Sequence, residues 1–462
     1  MPIELSKRYY PFFSNARTEN TYIRGRLVKS IILVPPLDKV VFLNETATEI
    51  LVLLGKGLTP LEIVEELSHL YGADRGEVER DVTSFIESGL REGFIREEGS
   101  RRVPLDKLEN SMQLTQGYLK FPVDVDVEVT RRCNMRCVHC YSNAMPSGEQ
   151  GPPLEFFETL ADELGEGSAM RVLLGGGEPL LRDDIVEIVE AFTSRGLAVH
   201  MSTNGLLFDE EIAEELYRAG LRVIQFSLDG IGEIHDTLRG FPGAFDRVVG
   251  AIKTAKSLGF TVLVKSVVMR ANVHEISKVY ELISKLGVDF YSFNRAVPAG
   301  RARPNWSKVY VLYSEYEKVL GSVKEALGGS RMEAGFEERL LHVAKPSVAE
   351  PPSTCNAGIS YISIDANLRV RPCSYFPERF TCGGLYRDWE SLKEAWNGCG
   401  LLRELRGLSF EKLEEPCRSC RRCYGGCRAA ALLLYNRVTA PDPLCPLVER
   451  LGGLNAGGRE SN

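Results

Sequence analysis

From residue 123 to 293 the chain alternates short β-branched runs with stretches whose apolar residues recur every three or four positions. This is the pattern of βα units that build a parallel sheet. The predicted strands are 123–130, 171–174, 197–202, 222–228, 260–268 and 288–293, and amphipathic runs such as DDIVEIVEAFTSRG and DEEIAEELYRAG fill the gaps. Six units fall short of the eight that close a TIM barrel, so an α/β fold with a partial (βα)6 TIM-like barrel is expected, its active site at the C-terminal strand ends.

Ahead of the barrel, residues 28–43 read as a hairpin and three helical runs follow. Asn44 precedes the first. The second opens with Thr59 as N-cap, Pro60 at the first helical position and Glu62 closing a capping box. The third begins at Asp74, with Glu77 three residues on, and ends before Gly93. Together they predict a winged-helix-like domain over 1–98. A polar linker over 99–120, the barrel over 121–310 and a helical connection over 311–354 come next. The last region, 355–462, holds nine of the twelve cysteines, many Gly and Pro, and one clear hairpin, ISYISIDANLRVR. Such a segment is expected to lack a large apolar core and to fold around metal.

Composition narrows the function. With 44% hydrophobic and 26% charged residues and a net charge of -7, the chain is a globular protein and not a polybasic nucleic-acid binder. Residues 1–98 alone hold 12 Lys and Arg against 16 Asp and Glu, a poor face for DNA phosphates. No run of apolar residues is long enough to span a membrane, and the start lacks a secretion-signal pattern, so a cytoplasmic protein without membrane or nucleic-acid partners is expected. Clustered thiols in a reducing compartment are usually metal ligands.

After the first barrel strand stands Cys133-Asn-Met-Arg-Cys137-Val-His-Cys140-Tyr141. Three thiolates at this spacing suit three irons of a four-iron cluster and leave the fourth open. Alone, the spacing suits a zinc or redox site equally well. His139, inside it, reads as a loop residue and not a ligand. The second strand ends in GGGEPLL, the third in STNG and the fourth in SLDG. Together these motifs resemble the radical S-adenosylmethionine (SAM) superfamily. The resemblance implies a [4Fe-4S] cluster on Cys133, Cys137 and Cys140 that cleaves SAM to a 5'-deoxyadenosyl radical. It implies SAM contacts from Gly176, Gly177, Glu178, Ser202, Asn204, Ser227 and Asp229, with Tyr141 beside the adenine. Ser202 and Ser227 have a plainer reading as caps of the turns that follow them.

The tail carries Cys417, Cys420, Cys423 and Cys427, then Cys445 in PDPLCP. It resembles the SPASM extension of radical SAM maturases, which implies two auxiliary [4Fe-4S] clusters: Cys355, Cys373 and Cys427 on the first, Cys417, Cys420, Cys423 and Cys445 on the second. Three departures qualify the carry-over. Two residues separate Cys420 from Cys423 where the family has five, no Gly stands before Cys373, and no second cysteine follows Cys355 closely. A structural zinc is the plainer alternative. Cys382 and Cys399 fall outside the pattern and read as free thiols, with Cys382 a spare ligand.

Residues 28–96 resemble the PqqD-like domain that grips leader peptides of ribosomally made, modified peptides. The combined resemblance implies an enzyme that oxidatively modifies, by cross-linking, a peptide or protein side chain. A ferredoxin or flavodoxin would supply electrons. Two rivals stand beside it: a tetrapyrrole-modifying relative, which the tail GGCRAA and DPLCP also resembles, and a non-catalytic iron-sulfur sensor. Arg295 and Arg301, after the sixth strand, read either as carboxylate partners for SAM or substrate or as surface charges.

Overall fold

The computed structural model describes residues 3–23, 26–36, 38–97, 103, 105, 108, 118–327, 333–336, 355–421, 423 and 425–450. It divides into two compact units, Met1–Lys120 and Phe121–Asn462.

In the first unit, strand β1 is Tyr10–Pro11, and β2 (Asn15–Ile23), β3 (Arg26–Val34) and β4 (Lys39–Leu43) form an antiparallel sheet in that order. Helices α1 (Glu45–Gly55), α2 (Pro60–Tyr71) and α3 (Arg75–Glu92) follow, and β5 (Ile95–Arg96) returns to pair with β1. The helix starts form as their capping residues dictate. The Asn44 side chain accepts the Ala47 N–H at 2.8 Å. Thr59 Oγ1 accepts from Glu62 N, while Glu62 Oε2 accepts from Thr59 N at 2.7 Å, the reciprocal box that stabilises a helix by about 1 kcal/mol. Ile32, Leu51, Leu54, Ile63, Val64, Val82 and Ile86 make the core. Strand β2 was not expected, because its sequence carries Arg17 and Glu19 where an apolar alternation would announce a strand. Both are buried and pair at 2.6 Å. Most of the stretch read as a linker lies outside the described residues, but Leu108 is buried in this core and Val103 and Leu105 pack against it.

In the second unit, six parallel strands lie side by side in chain order: β6 (Asp124–Thr130), β7 (Arg171–Gly176), β8 (Ala198–Thr203), β9 (Val223–Ser227), β10 (Thr261–Val268) and β11 (Phe290–Arg295). Helices α4 (Leu154–Glu166), α5 (Ile185–Thr193), α6 (Glu210–Arg218), α7 (Glu233–Arg239), α8 (Ala244–Ser257) and α9 (Ile276–Lys285) connect them, and α10 (Trp306–Val309) and α11 (Tyr313–Leu327) follow. Val125, Val127, Val172, Leu174, Val262 and Val264 turn to one face and are fully buried or nearly so. The alternate positions face the other way and build the site.

The sheet extends at both ends. Strand β12 (Glu333–Phe336), in the segment expected to be only helical, adds parallel to β11. Strand β13 (Tyr361–Ile364) adds parallel to β6 and turns back as β14 (Val370–Arg371). The hairpin of the cysteine-rich region is thus part of the barrel sheet. That region also holds α12 (Trp389–Gly398), α13 (Gly400–Arg406), α14 (Cys417–Cys420), α15 (Arg428–Tyr435) and α16 (Pro446–Arg450). It buries Phe376, Leu392, Trp396, Leu402, Leu405 and Ala430, which corrects the expectation that it lacks an apolar core. The helical periods of WESLKEAWNG and RAAALLLY supply that core between the Gly and Pro residues. A second correction concerns Cys382 and Cys399: they are not free thiols but a disulfide pair, with Cα atoms 5.1 Å apart. Cys399 ends α12, and Cys382 is held beside it by its own N–H, which donates to Val370 O at 2.7 Å.

Candidate active site

Strand β6 runs out at Thr130 into the loop that carries Cys133, Cys137 and Cys140, and neighbouring elements clamp that loop by its backbone. Cys133 N donates to Met145 O (3.1 Å), Arg136 N to Arg239 O (3.1 Å) and Val138 N to Leu238 O (3.1 Å). Gly177 N donates to Thr130 O (2.7 Å) and Glu178 N to Arg132 O (2.8 Å), tying the end of β7 to the same loop. Arg301, one of the two arginines with two readings, donates from Nε to Cys137 O (2.9 Å) and from Nη1 to Ala144 O (2.7 Å). It fixes the loop. Arg295 is also no surface charge: it is buried at the cavity wall and donates to Leu444 O.

The three thiols open on a cavity of about 530 Å³ at the C-terminal strand ends. Tyr141, Gly176, Gly177, Glu178, Ser202, Asn204 and Ser227 line it too. Glu178 is buried; Thr203 Oγ1 donates to its Oε1 and Asn204 N to its Oε2, each at 2.7 Å. Burial pushes its carboxyl up to about 7 against these hydrogen bonds. Asn204 Nδ2 donates to Asn134 Oδ1 (2.7 Å), Gln225 Nε2 donates to Ser202 Oγ (3.1 Å), and the Tyr141 ring meets Tyr375 edge to face at 5.0 Å.

Asp229 is placed differently from its companions. It is not part of the cavity wall but fully buried behind it, with Oδ2 2.7 Å from Arg239 Nε and 3.3 Å from His139 Nε2, and Oδ1 accepting from Val267 N at 2.8 Å. Burial acts to raise its pKa, but the Arg239 guanidinium, the two neighbouring imidazoles and the Val267 N–H together outweigh it and hold the carboxyl below its ordinary value. Arg239 Nη1 in turn lies 3.8 Å from Cys137 Sγ. His139, buried beside this pair, is pushed down to about 4 by desolvation, and stays neutral.

Cys355, Cys373 and Cys427 line the same cavity, whereas Cys417, Cys420, Cys423 and Cys445 are not among its lining residues. Each set is mutually close enough for its thiolates to influence one another: Cys355 and Cys373 act on Cys427, and Cys417, Cys420 and Cys445 on Cys423. Burial pushes Cys133, Cys373 and Cys417 each up to about 12, so occupancy by metal must expel protons from these thiols. Among the described residues no three His, Cys, Asp or Glu side chains converge on a position for a single metal ion. An iron-sulfur cube holds its thiolates at separate corners, and Cys133, Cys137 and Cys140, buried or half-buried, softly donating and lining one cavity, fit such a group in chemistry.

Sequence reasoning missed several lining residues. Asp124, Asp126 and Glu128 share one face of β6, and the first two reach the cavity with Arg171, Lys265 and Tyr361. Tyr361 donates to Asp126 Oδ2 (2.7 Å), and Arg171 Nε to Asp124 Oδ1 (2.8 Å). The signal was present: three acids at alternate positions of a strand whose other face is all valine point to a polar interior.

Residues 127–283 match the Radical SAM superfamily, and residues 30–95 match Coenzyme PQQ synthesis protein D (PqqD). The chain belongs to the radical SAM superfamily, whose members use a [4Fe-4S] cluster and SAM, and carries an N-terminal PqqD-like domain. Among its relatives, the AdoMet-dependent heme synthase of Methanosarcina barkeri is 30% identical over 340 residues, covering 69% of this chain and 94% of that protein. The mycofactocin maturase MftC of Mycolicibacterium smegmatis is 29% identical over 333 residues, covering 71% of this chain and 83% of its own length. The structure of Streptococcus suis SuiB bound to precursor peptide SuiA shares the fold with a TM-score of 0.64 at 14% identity, over 94% of this chain and 98% of SuiB. No helix among the described residues is long and apolar enough to cross a membrane.

Proposed function

We propose that this radical SAM enzyme oxidatively modifies, by cross-linking, side chains of a ribosomally made peptide whose leader is held by the N-terminal domain. The observation that carries the reading is the joint presence of a PqqD-like domain, a radical SAM barrel and a cysteine-rich extension in one chain. The same arrangement extends over nearly all of SuiB, which has been seen with its precursor peptide. In the first unit β4 is an edge strand, with Phe42 exposed on it, and an extended leader can add there by backbone pairing.

On this reading Cys133, Cys137 and Cys140 hold the SAM-binding cluster, Cys355, Cys373 and Cys427 a first auxiliary cluster, and Cys417, Cys420, Cys423 and Cys445 a second. When bound, the first of these and SAM supply a 5'-deoxyadenosyl radical. The chain's own residues orient the substrate and exclude water. Glu178 receives the SAM ammonium group, Ser202, Asn204 and Ser227 hydrogen-bond its polar atoms, and Tyr141 lies against the adenine. Asp229 acts from behind, fixing Arg239 against Cys137. A ferredoxin or flavodoxin in the cytoplasm supplies the electron.

One consequence concerns pH. With its carboxyl raised to about 7, Glu178 is largely protonated at pH 6 and ionised at pH 8, and only the ionised form pairs with an ammonium ion. SAM affinity, measured by anaerobic titration, is therefore expected to tighten about fivefold from pH 6 to pH 7, below the range in which the SAM amino group itself loses its proton. Glu178→Gln should bind weakly and without that slope; an unchanged slope in the variant removes Glu178 from this role.

A second reading is favoured by the heme synthase relative, of which this chain covers almost the whole length. The separating experiment incubates the reconstituted, reduced enzyme anaerobically with SAM and, in parallel, with any short peptide encoded beside its gene or with a tetrapyrrole. A peptide losing two hydrogens in step with 5'-deoxyadenosine supports the proposal. Turnover of the tetrapyrrole alone overturns it. Superfamily membership leaves the sensor reading without support.

A further inference from the structure

Helix α7 ends at Arg239 and closes on Gly240 in the left-handed conformation (φ 65°). This helix end is docked on the loop that carries the first three cysteines. Leu238 O and Arg239 O accept from Val138 N and Arg136 N, and the approach at Gly240 is so close that a Cβ there would lie 3.0 Å from Arg136 O. From this mount the buried Arg239 side chain reaches two partners. Its Nε lies 2.7 Å from Asp229 Oδ2, and its Nη1 donates to Cys137 Sγ at 3.8 Å. Asp229 is itself fixed on every side: Oδ1 accepts from Val267 N (2.8 Å), its own N–H donates to His235 Nδ1 (3.1 Å) and its carbonyl accepts from Asn272 Nδ2 (2.6 Å).

The other two thiols of the loop meet neutral donors. Cys140 Sγ lies 3.4 Å from Ser142 Oγ, and Cys133 takes the Met135 backbone N–H. Arg301, the other guanidinium at this loop, points its N–H groups at the carbonyl oxygens of Cys137 and Ala144 and not at sulfur. Cys137 is therefore the position where a fixed cation donates straight to a thiol. Asp229 also acts on Cys137, in the opposite sense and more weakly than Arg239 does.

We infer that Arg239, aimed by Asp229, sets the reduction potential of the cluster on Cys133, Cys137 and Cys140, raising it by stabilising the reduced form through Cys137. The inference deepens the function proposed above and rests on its ligand assignment. Reduction takes one electron from the ferredoxin or flavodoxin and adds one negative charge to a cluster already ligated by thiolates. A hydrogen bond from a cation to one of those sulfurs stabilises the added charge, and burial keeps water from screening it. Asp229 is the positioning residue: it holds the guanidinium by Nε so that Nη1 faces the sulfur.

The test is a potentiometric titration of the full-length, reconstituted protein without SAM, followed by electron paramagnetic resonance of the reduced state. The signal that belongs to this cluster is the one missing from the variant Cys133→Ala, Cys137→Ala, Cys140→Ala. Arg239→Gln is expected to make that cluster about tenfold harder to reduce, a fall of about 59 mV for one electron. Asp229→Asn, which removes the opposing charge, should shift the same potential upward. Because Arg239→Gln alone leaves a buried carboxylate unpaired, the double variant Arg239→Gln, Asp229→Asn serves if the single one fails to fold, and its potential should lie about tenfold below that of Asp229→Asn. An unchanged potential in the loaded Arg239 variants overturns the inference; if SAM then binds more weakly, Arg239 serves SAM and not the cluster. Downward shifts of equal size in both single variants overturn it as well, because the pair would then only hold the loop. A triple cysteine variant that keeps every signal would instead bring down the ligand assignment, and the inference with it.

Discussion

Replacing Cys133, Cys137 and Cys140 together by alanine is expected to abolish 5'-deoxyadenosine formation, a loss of roughly a thousandfold or more. The fold should survive. The loop's shape is set by backbone bonds from Met145, Arg239, Leu238 and Cys140 and by the Arg301 side chain, none of which uses a thiol. What the variant removes is the soft donor set, and with it the one place in the cavity flanked by Glu178, Asn204 and Tyr141. Far-ultraviolet circular dichroism should therefore match the wild type while chromatographic assay of 5'-deoxyadenosine falls to background. Residual SAM cleavage near the wild-type rate would mean that the reactive cluster sits elsewhere.

The second large effect is expected at Gly177. A Cβ built there would lie 2.0 Å from Arg132 O and 2.7 Å from Arg132 C, both backbone atoms that no rotamer change can move aside. Relief requires parting the end of β7 from the loop after β6, at the cost of the bonds from Gly177 N to Thr130 O and from Glu178 N to Arg132 O. Gly177→Ala should destabilise the protein by about 3–5 kcal/mol, in the range reserved for core and backbone clashes. Gly175→Ala is the control: a Cβ there meets nothing within 4 Å, and the change should stay within about 1 kcal/mol. Thermal unfolding of the two variants side by side decides the matter, and equal midpoints would count against the close approach.

Much of this architecture was legible because its signals are local. The six strands are rich in β-branched, aliphatic or aromatic residues, the caps at Asn44, Thr59 and Asp74 need only three residues to declare themselves, and the cysteine spacing, read with the motifs at successive strand ends, points to its chemistry. The misses have a common cause in side-chain pairing that no local periodicity encodes. Nothing in NARTENTYI says that Arg17 and Glu19 will neutralise each other inside a sheet. Asp229 stands at a strand end like Ser202 and Ser227, but Arg239 folds back from the following helix and draws it behind the wall. Cys382, tied to β14 through Val370 O, meets Cys399 at the end of α12, a contact no spacing rule encodes.

The pairing of β13 with β6 has a bearing on biosynthesis. Strand β6 leaves the ribosome early, yet one of its edges stays bare until Tyr361–Ile364 emerges and docks on Asp124–Val127. A bare parallel edge invites wrong partners, and closing a loop this long slows folding. The sheet is therefore not completed strand by strand: its first strand gains its second neighbour only when the cysteine-rich region has been made.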